Sequence, residues 1–230
     1  MTRPLLEVIA LDAADARAAE AGGADRLEIV ADMGFDGLTP SLATVVEVRA
    51  ATGLPLRVML RGNAGFQAYP GEVEALSTAA RDLAAAGADA FVLGFLTADG
   101  DLDVEATTAV SQAVPDRPWT CHRAVDHARD ADAAFRRVIA LPGLDTVLTA
   151  GSAAGVSEGL EALRVRAAAA GEWLLLAGGG LRPEHVAPLA EAGVRAFHVG
   201  KLVRKDGSWS APVDAGLVRQ WRDLVDAAVA

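Results

Sequence analysis

The chain is predicted to be an α/β protein, a (βα)8 TIM-type barrel. Eight short apolar runs of strand length alternate with alanine-rich segments of helix length, and the helix ends repeat a glycine signal. The strands fall at 5–10, 26–30, 56–60, 90–94, 119–122, 146–149, 173–177 and 196–199. Amphipathic segments at 13–21, 42–51, 73–86, 131–140, 160–170 and 183–192 separate almost every pair of them. Glycine caps turn helix back into strand at Gly22-Gly23-Ala24-Asp25, Gly87-Ala88-Asp89, Gly143-Leu144-Asp145 and Gly193-Val194-Arg195. Asp12, Thr39 with Pro40, and Arg182-Pro183-Glu184 mark helix starts, since a polar side chain satisfies an orphan amide and an early proline lacks one. Residues 212–228 read as a closing helix, and the barrel is expected to be irregular at this end. No linker divides the 230 residues, so a single domain is expected.

An open doubly wound sheet would share this alternation. Side-chain parity favours the barrel. At period two, Glu7 opposes Leu6 and Val8, Glu28 opposes Leu27 and Ile29, and His198 opposes Phe197 and Val199. Arg61 follows Met59 on one side of its strand, and His122 follows Thr120. A barrel interior and its C-terminal mouth gather such polar residues from many strands, whereas helices cover both faces of an open parallel sheet.

Composition narrows the functions. With 31 Asp and Glu against 21 Lys and Arg, the formal charge is −10, which repels nucleic-acid backbones and anionic membranes. The one cysteine, Cys121, excludes an intramolecular disulfide framework or a multi-cysteine zinc site and fits a reducing compartment. Glu7 interrupts the first apolar run, so neither a signal peptide nor a membrane span is expected there, and a cytoplasmic location is.

Glu7, Glu28, Arg61, His122, Arg123, Asp126, Thr149 and His198 all lie on or just after predicted strands and converge if the barrel closes. Two buried carboxylates need a counter-ion, and Arg61 is the expected one. The set reads either as an ion-pair network that fills the barrel or as a network that leaves one group free to bind or protonate a ligand. His122-Arg123-Ala124-Val125-Asp126 suits proton transfer beside an anion, while His185 and His127 read as structural. Gly178-Gly179-Gly180 and Gly200-Lys201 follow the last two strands, where barrels bind phosphate, so Gly179, Gly180 and Lys201 are candidate ligand contacts. The loop after the last strand is either a lid or an inert connection. Trp209 and Trp221 are expected between chains if the protein is a dimeric binding module.

Several of these residues sit in motifs that resemble the CutC copper homeostasis family: Leu5-Leu6-Glu7-Val8, Gly23-Ala24-Asp25-Arg26-Leu27-Glu28, Gly37-Leu38-Thr39-Pro40-Ser41, His122-Arg123-Ala124-Val125-Asp126, Val147-Leu148-Thr149-Ala150-Gly151 and Val194-Arg195-Ala196-Phe197-His198. The resemblance runs from about Leu5 to about His198. It implies a cytoplasmic, dimeric, TIM-barrel-like protein linked to copper tolerance and copper(I) binding, and its motifs mark Glu7, Glu28, Arg61, His122, Arg123, Asp126, Thr149 and His198 as site residues. Departures concern the metal most. Family members thought to bind copper(I) carry cysteines just after each glutamate, where this chain has Ile9, Ala10 and Val30. Cuprous ion prefers thiolate or thioether ligands, and here only Cys121, Met1, Met33 and Met59 offer sulfur, with Cys121 pointing toward the helix layer by parity. Asp36 replaces a usual glycine and Val125 a usual aromatic residue. The alternative to a copper-handling protein is a lyase- or isomerase-type barrel enzyme acting on a small anionic or phosphorylated substrate.

Overall fold

A computed structural model describes residues 3–169 and 174–229. In it eight parallel strands pair in sequence order, and the eighth closes on the first. The strands are β1 (Leu5–Ala10), β2 (Arg26–Ile29), β3 (Leu56–Met59), β4 (Ala90–Leu93), β5 (Trp119–Cys121), β6 (Leu144–Thr149), β7 (Leu174–Ala177) and β8 (Ala196–Val199). The helices are α1 (Ala13–Gly22), α2 (Leu42–Ala51), α3 (Glu72–Ala85), α4 (Val104–Ser111), α5 (Ala124–His127), α6 (Ala131–Val138), α7 (Val156–Ala168), α8 (Pro183–Glu191) and α9 (Ala215–Val229). The barrel expectation therefore holds. Ala170 and Trp173, the outer ends of an expected helix and strand, lie outside the described residues.

Local chemistry explains the boundaries. Asp12 caps α1 by accepting from the amides of Ala14 and Asp15, and Gly23 ends it at φ +96°, a conformation that favours glycine. The repeated Gly-Ala-Asp turns do more than reverse the chain. Asp25 accepts from the Leu6 amide at 2.7 Å and Asp89 from the Leu56 amide at 2.9 Å, so each turn satisfies the start of the neighbouring strand. At α2 the cap is Ser41, not Thr39. The Thr39 hydroxyl instead brackets the Arg61 backbone, accepting from its N–H at 2.9 Å and donating to its C=O at 3.1 Å. The sequence reading missed α4, whose β-branched Val104, Thr107, Thr108 and Val110 weaken the helical signal; the Asp103 side chain caps it.

Apolar residues pointing out of the barrel meet the helices in the main core, which includes Leu6, Val8, Leu27, Ile29, Phe197 and Val199. Inside the barrel, polar residues divide two small apolar clusters. Leu148, Leu176 and Ala196 form one; Ile9, Val30, Met59 and Val92 form the other. After β8 two short 3-10 turns lead to α9, which packs against α1 and α8. Trp221 is buried within this single chain, and Trp209 lines the cavity at the barrel mouth.

The backbone approaches itself closely where β6 meets α7. A Cβ on Gly159 would collide with the Ala150 carbonyl and the Gly151 backbone. Alanine normally favours a helix interior over glycine. Gly159→Ala is nonetheless expected to destabilise the fold by about 1–3 kcal/mol, because backbone must move to admit the methyl. Urea unfolding would show it as a lowered midpoint at unchanged slope, and an unchanged or raised midpoint would contradict this packing.

Candidate functional site

The mouth of the barrel holds a cavity of about 410 Å³. Glu28, His122, Arg123 and His198 line it, with Gly179, Gly180 and Lys201 from the last two strand-to-helix loops. Its charged wall carries Arg61, Arg123 and Lys201 against Asp36 and Glu28, an excess of cations in a chain whose net charge is −10. That inversion favours an anionic ligand.

Strand register builds the floor. Glu7 lies opposite Arg26 on one neighbouring strand and His198 on the other. Its carboxylate accordingly accepts from Arg26 Nε through Oε2 and pairs with His198 Nδ1 through Oε1 at 2.8 Å. On the other side of the imidazole, Nε2 lies 3.5 Å from Glu28 Oε2. A buried chain thus runs Arg26, Glu7, His198, Glu28. Burial alone would raise the Glu7 carboxyl, but Arg26, His198 and Arg57 bring it down to about 2. For Glu28, burial and the Glu7 charge outweigh His198 and Arg26, pushing the carboxyl up to about 7. His198 is raised: burial opposes its charge, yet Glu28 and Glu7 prevail. Glu28 Oε1 is buried without a hydrogen-bond partner among the described residues.

His122 differs. Its Nδ1 accepts from the Ala124 amide at 3.2 Å, which places the neutral ring's hydrogen on Nε2, and Nε2 is buried without a hydrogen-bond partner among the described residues. Burial, reinforced by Arg61, holds its pKa down at about 3, so the ring stays neutral at physiological pH. Phe66 packs edge-on against it, with centroids 5.5 Å apart.

Four expected site residues have other work. Arg61 reaches the cavity wall but is not the counter-ion of the two acids. It lies beyond the end of β3, and its guanidinium donates to the carbonyls of Phe35, Gly37, Ala64 and Gly65, tying two mouth loops together. Arg26 takes its expected place, backed by Arg57, which donates to Thr120 and Asp145. Thr149 does not face the cavity: Leu148 takes the inward position on β6, and the Thr149 hydroxyl donates to Asp126 at 2.5 Å in the outer layer. Asp126 is spent on Thr149, the Ala150 amide, Arg123 and Arg166, so it positions Arg123 and has no place in the cavity wall. Glu7 likewise sits beneath the floor and orients His198. His185 is structural as expected, its Nδ1 accepting from the Arg182 amide at the start of α8. Parity pointed to Arg26 and Arg57, which share the sides of Glu28 and Met59. Arg166, Phe66 and Trp209 gave no comparable signal.

A profile of the CutC family matches residues 5–203. The chain belongs to the CutC family. The CutC family protein of Chromobacterium violaceum is 36% identical over 197 residues, covering 84% of this chain and 79% of its own. The human copper homeostasis protein cutC homolog is 32% identical over 205 residues, 88% of this chain and 75% of its own. The solved CutC structure from Streptococcus agalactiae shares the fold, with a TM-score of 0.77 at 24% identity over 86% of this chain and 98% of that one.

In this CutC chain the donor set does not fit copper(I). Among the described residues no three His, Cys, Asp or Glu side chains are grouped to hold a metal ion. Cys121 is fully buried in the outer core, its thiol donates to the His122 carbonyl, and burial raises its pKa, keeping it protonated. Ile9 and Val30, at positions marked for thiols, pack in the apolar cluster with Met59, and Ala10 lies in the outer core. Met33 and Met59 do line the cavity, but His198 is engaged by Glu7 and Glu28, and His122 turns a hydrogen toward its free side.

The ion pairs under the floor carry a pH signature. A Glu7 pKa lowered from 4.5 to about 2 corresponds to about 3 kcal/mol of stability. This contribution is complete above about pH 4.5 and is lost as pH falls toward 2. Glu7→Gln is expected to lower stability by that order at pH 7, with the gap from wild type closing across this window in urea unfolding. A gap independent of pH would contradict the assignment.

Proposed function

We propose that this chain serves copper homeostasis in the cytoplasm without itself coordinating copper(I). Support for the role comes from its relatives, one of them named a copper homeostasis protein homolog at 32% identity. Support for the indirect mode comes from the sulfur inventory: the one thiol is buried in the outer core and points away from the mouth, which leaves the thioethers of Met33 and Met59 as the sulfur atoms lining the cavity among the described residues.

A second reading is favoured by one observation, the Glu7–His198–Glu28 chain that ends in a partnerless carboxylate oxygen. Buried polar atoms are ordinarily paired, and this oxygen belongs to a residue that lines the cavity. Left unpaired at the floor of a cation-rich cavity, it suits a proton-transfer site for a small anionic ligand. The two readings are compatible, since an enzyme that makes or removes a copper-binding metabolite influences copper tolerance without holding the metal.

Titrating the reduced protein with copper(I) against a chromophoric chelator is expected to show no stoichiometric site tighter than micromolar, with Cys121→Ser indistinguishable from wild type. Tight binding abolished by Met33→Leu with Met59→Leu would instead assign direct coordination. In a copper-sensitive host lacking its own CutC gene, wild type is expected to restore tolerance and Glu28→Gln to fail. Equal rescue by both would separate copper tolerance from the mouth chemistry.

A further inference from the structure

We infer that the mouth catalyses proton transfer at the carbon beside a carbonyl in a small anionic hydroxycarbonyl compound, with Glu28 moving the proton and His122 Nε2–H stabilising the carbonyl oxygen. The inference rests on the proton-transfer reading and names its substrate class. Its basis is two buried atoms without a hydrogen-bond partner among the described residues, an acceptor on Glu28 from β2 and a donor on His122 after β5, on two residues that line the same cavity. Each is costly to bury unpaired, and together they are what an enolisation needs: a base for the C–H and a neutral donor for the developing oxyanion. Neutrality of the ring at Nδ1 is fixed by the Ala124 amide, so Nε2 keeps its hydrogen.

The remaining wall supplies an anion site. Arg123 spends Nε on Asp126 and Nη2 on the Ser152 and Ala153 carbonyls, leaving Nη1 without a partner among the described residues. Gly179 packs against the Arg123 side chain, where a Cβ would collide, and Gly180 faces open space. Lys201 adds an exposed ammonium on the same cavity. A carboxylate or phosphate held there would leave the reacting end to the floor.

The step balances within the substrate. The Glu28 carboxylate takes the α-hydrogen as a proton, the C–H electron pair becomes the C=C bond of an enediol, and the carbonyl π pair moves to oxygen opposite His122. The proton returned to the adjacent carbon, with the hydroxyl hydrogen crossing between the two oxygens, completes an aldose–ketose interconversion that needs no oxidant or co-reactant. Glu28 is faced by Glu7 and Arg26 from β1 and β2 and by His198 from β8, with Arg57 behind Glu7. His198, held by Glu7, is a positioning residue and proton reservoir for it.

Two probes test this with the full chain in D2O: dihydroxyacetone phosphate and glyceraldehyde 3-phosphate, followed by proton NMR. Loss of the α C–H signal is expected at least about 100-fold faster than in buffer, as positioned general bases provide. The rate should fall as pH drops below about 7, where Glu28 takes up its proton. Glu28→Gln should abolish exchange while still binding 2-phosphoglycolate by calorimetry, which also reports that the variant is folded. Arg123→Ala should weaken that binding at least about tenfold. Binding of 2-phosphoglycolate without exchange of either probe would overturn the substrate class and leave the anion site standing. Neither binding nor exchange would remove the proton-transfer reading as well, and exchange that persists in Glu28→Gln would overturn the role of Glu28.

Discussion

Burying two carboxylates and an imidazole inside a parallel barrel is the constraint on which the rest of the structure turns. Charge in such a space is tolerated only when paired and hydrogen-bonded. Register meets that requirement for Glu7, set between Arg26 on β2 and His198 on β8. It does not meet it for Glu28, whose second oxygen has no hydrogen-bond partner among the described residues. The asymmetry separates two chemically identical side chains by several pKa units, Glu7 held ionised and Glu28 poised near neutrality.

A second layer of ion pairs serves the same end from outside the barrel. Asp126, Thr149, Arg166 and Asp132 form a network between β6 and the helices, and Arg123 extends it to the mouth. Arg61 does comparable work for the loops, its donors spent on four carbonyls. Side chains that look like ligand-binding cations in the sequence therefore divide into those that hold the cavity's shape and those that retain a free donor within it.

The fold was legible because strand and helix periods differ and because glycine marks the turns between them. Parity placed Glu7, Glu28, His122 and His198 on the interior, where they are. Thr149, expected at the site from its place on a strand, lies on the outer side because Leu148 takes the inward parity, and Arg61 reaches the cavity wall but spends its guanidinium on loop carbonyls and not on the two acids. Arg26 obeyed parity and was overlooked, since it sits next to a glycine turn and reads as part of it. Hydrogen bonds between distant segments, such as Arg166 to Asp126 and Arg61 to the loop carbonyls, leave no local pattern to read.

Nuclear magnetic resonance of labelled carboxyl and imidazole groups tests the central asymmetry most directly. Followed from pH 4 to 9, the Glu28 carboxyl should titrate near 7 with His198 responding in step, while the His122 ring keeps its Nε2–H neutral form throughout. A Glu28 carboxyl titrating near 4.5, or a His122 ring that becomes charged near pH 6.5, would contradict the account.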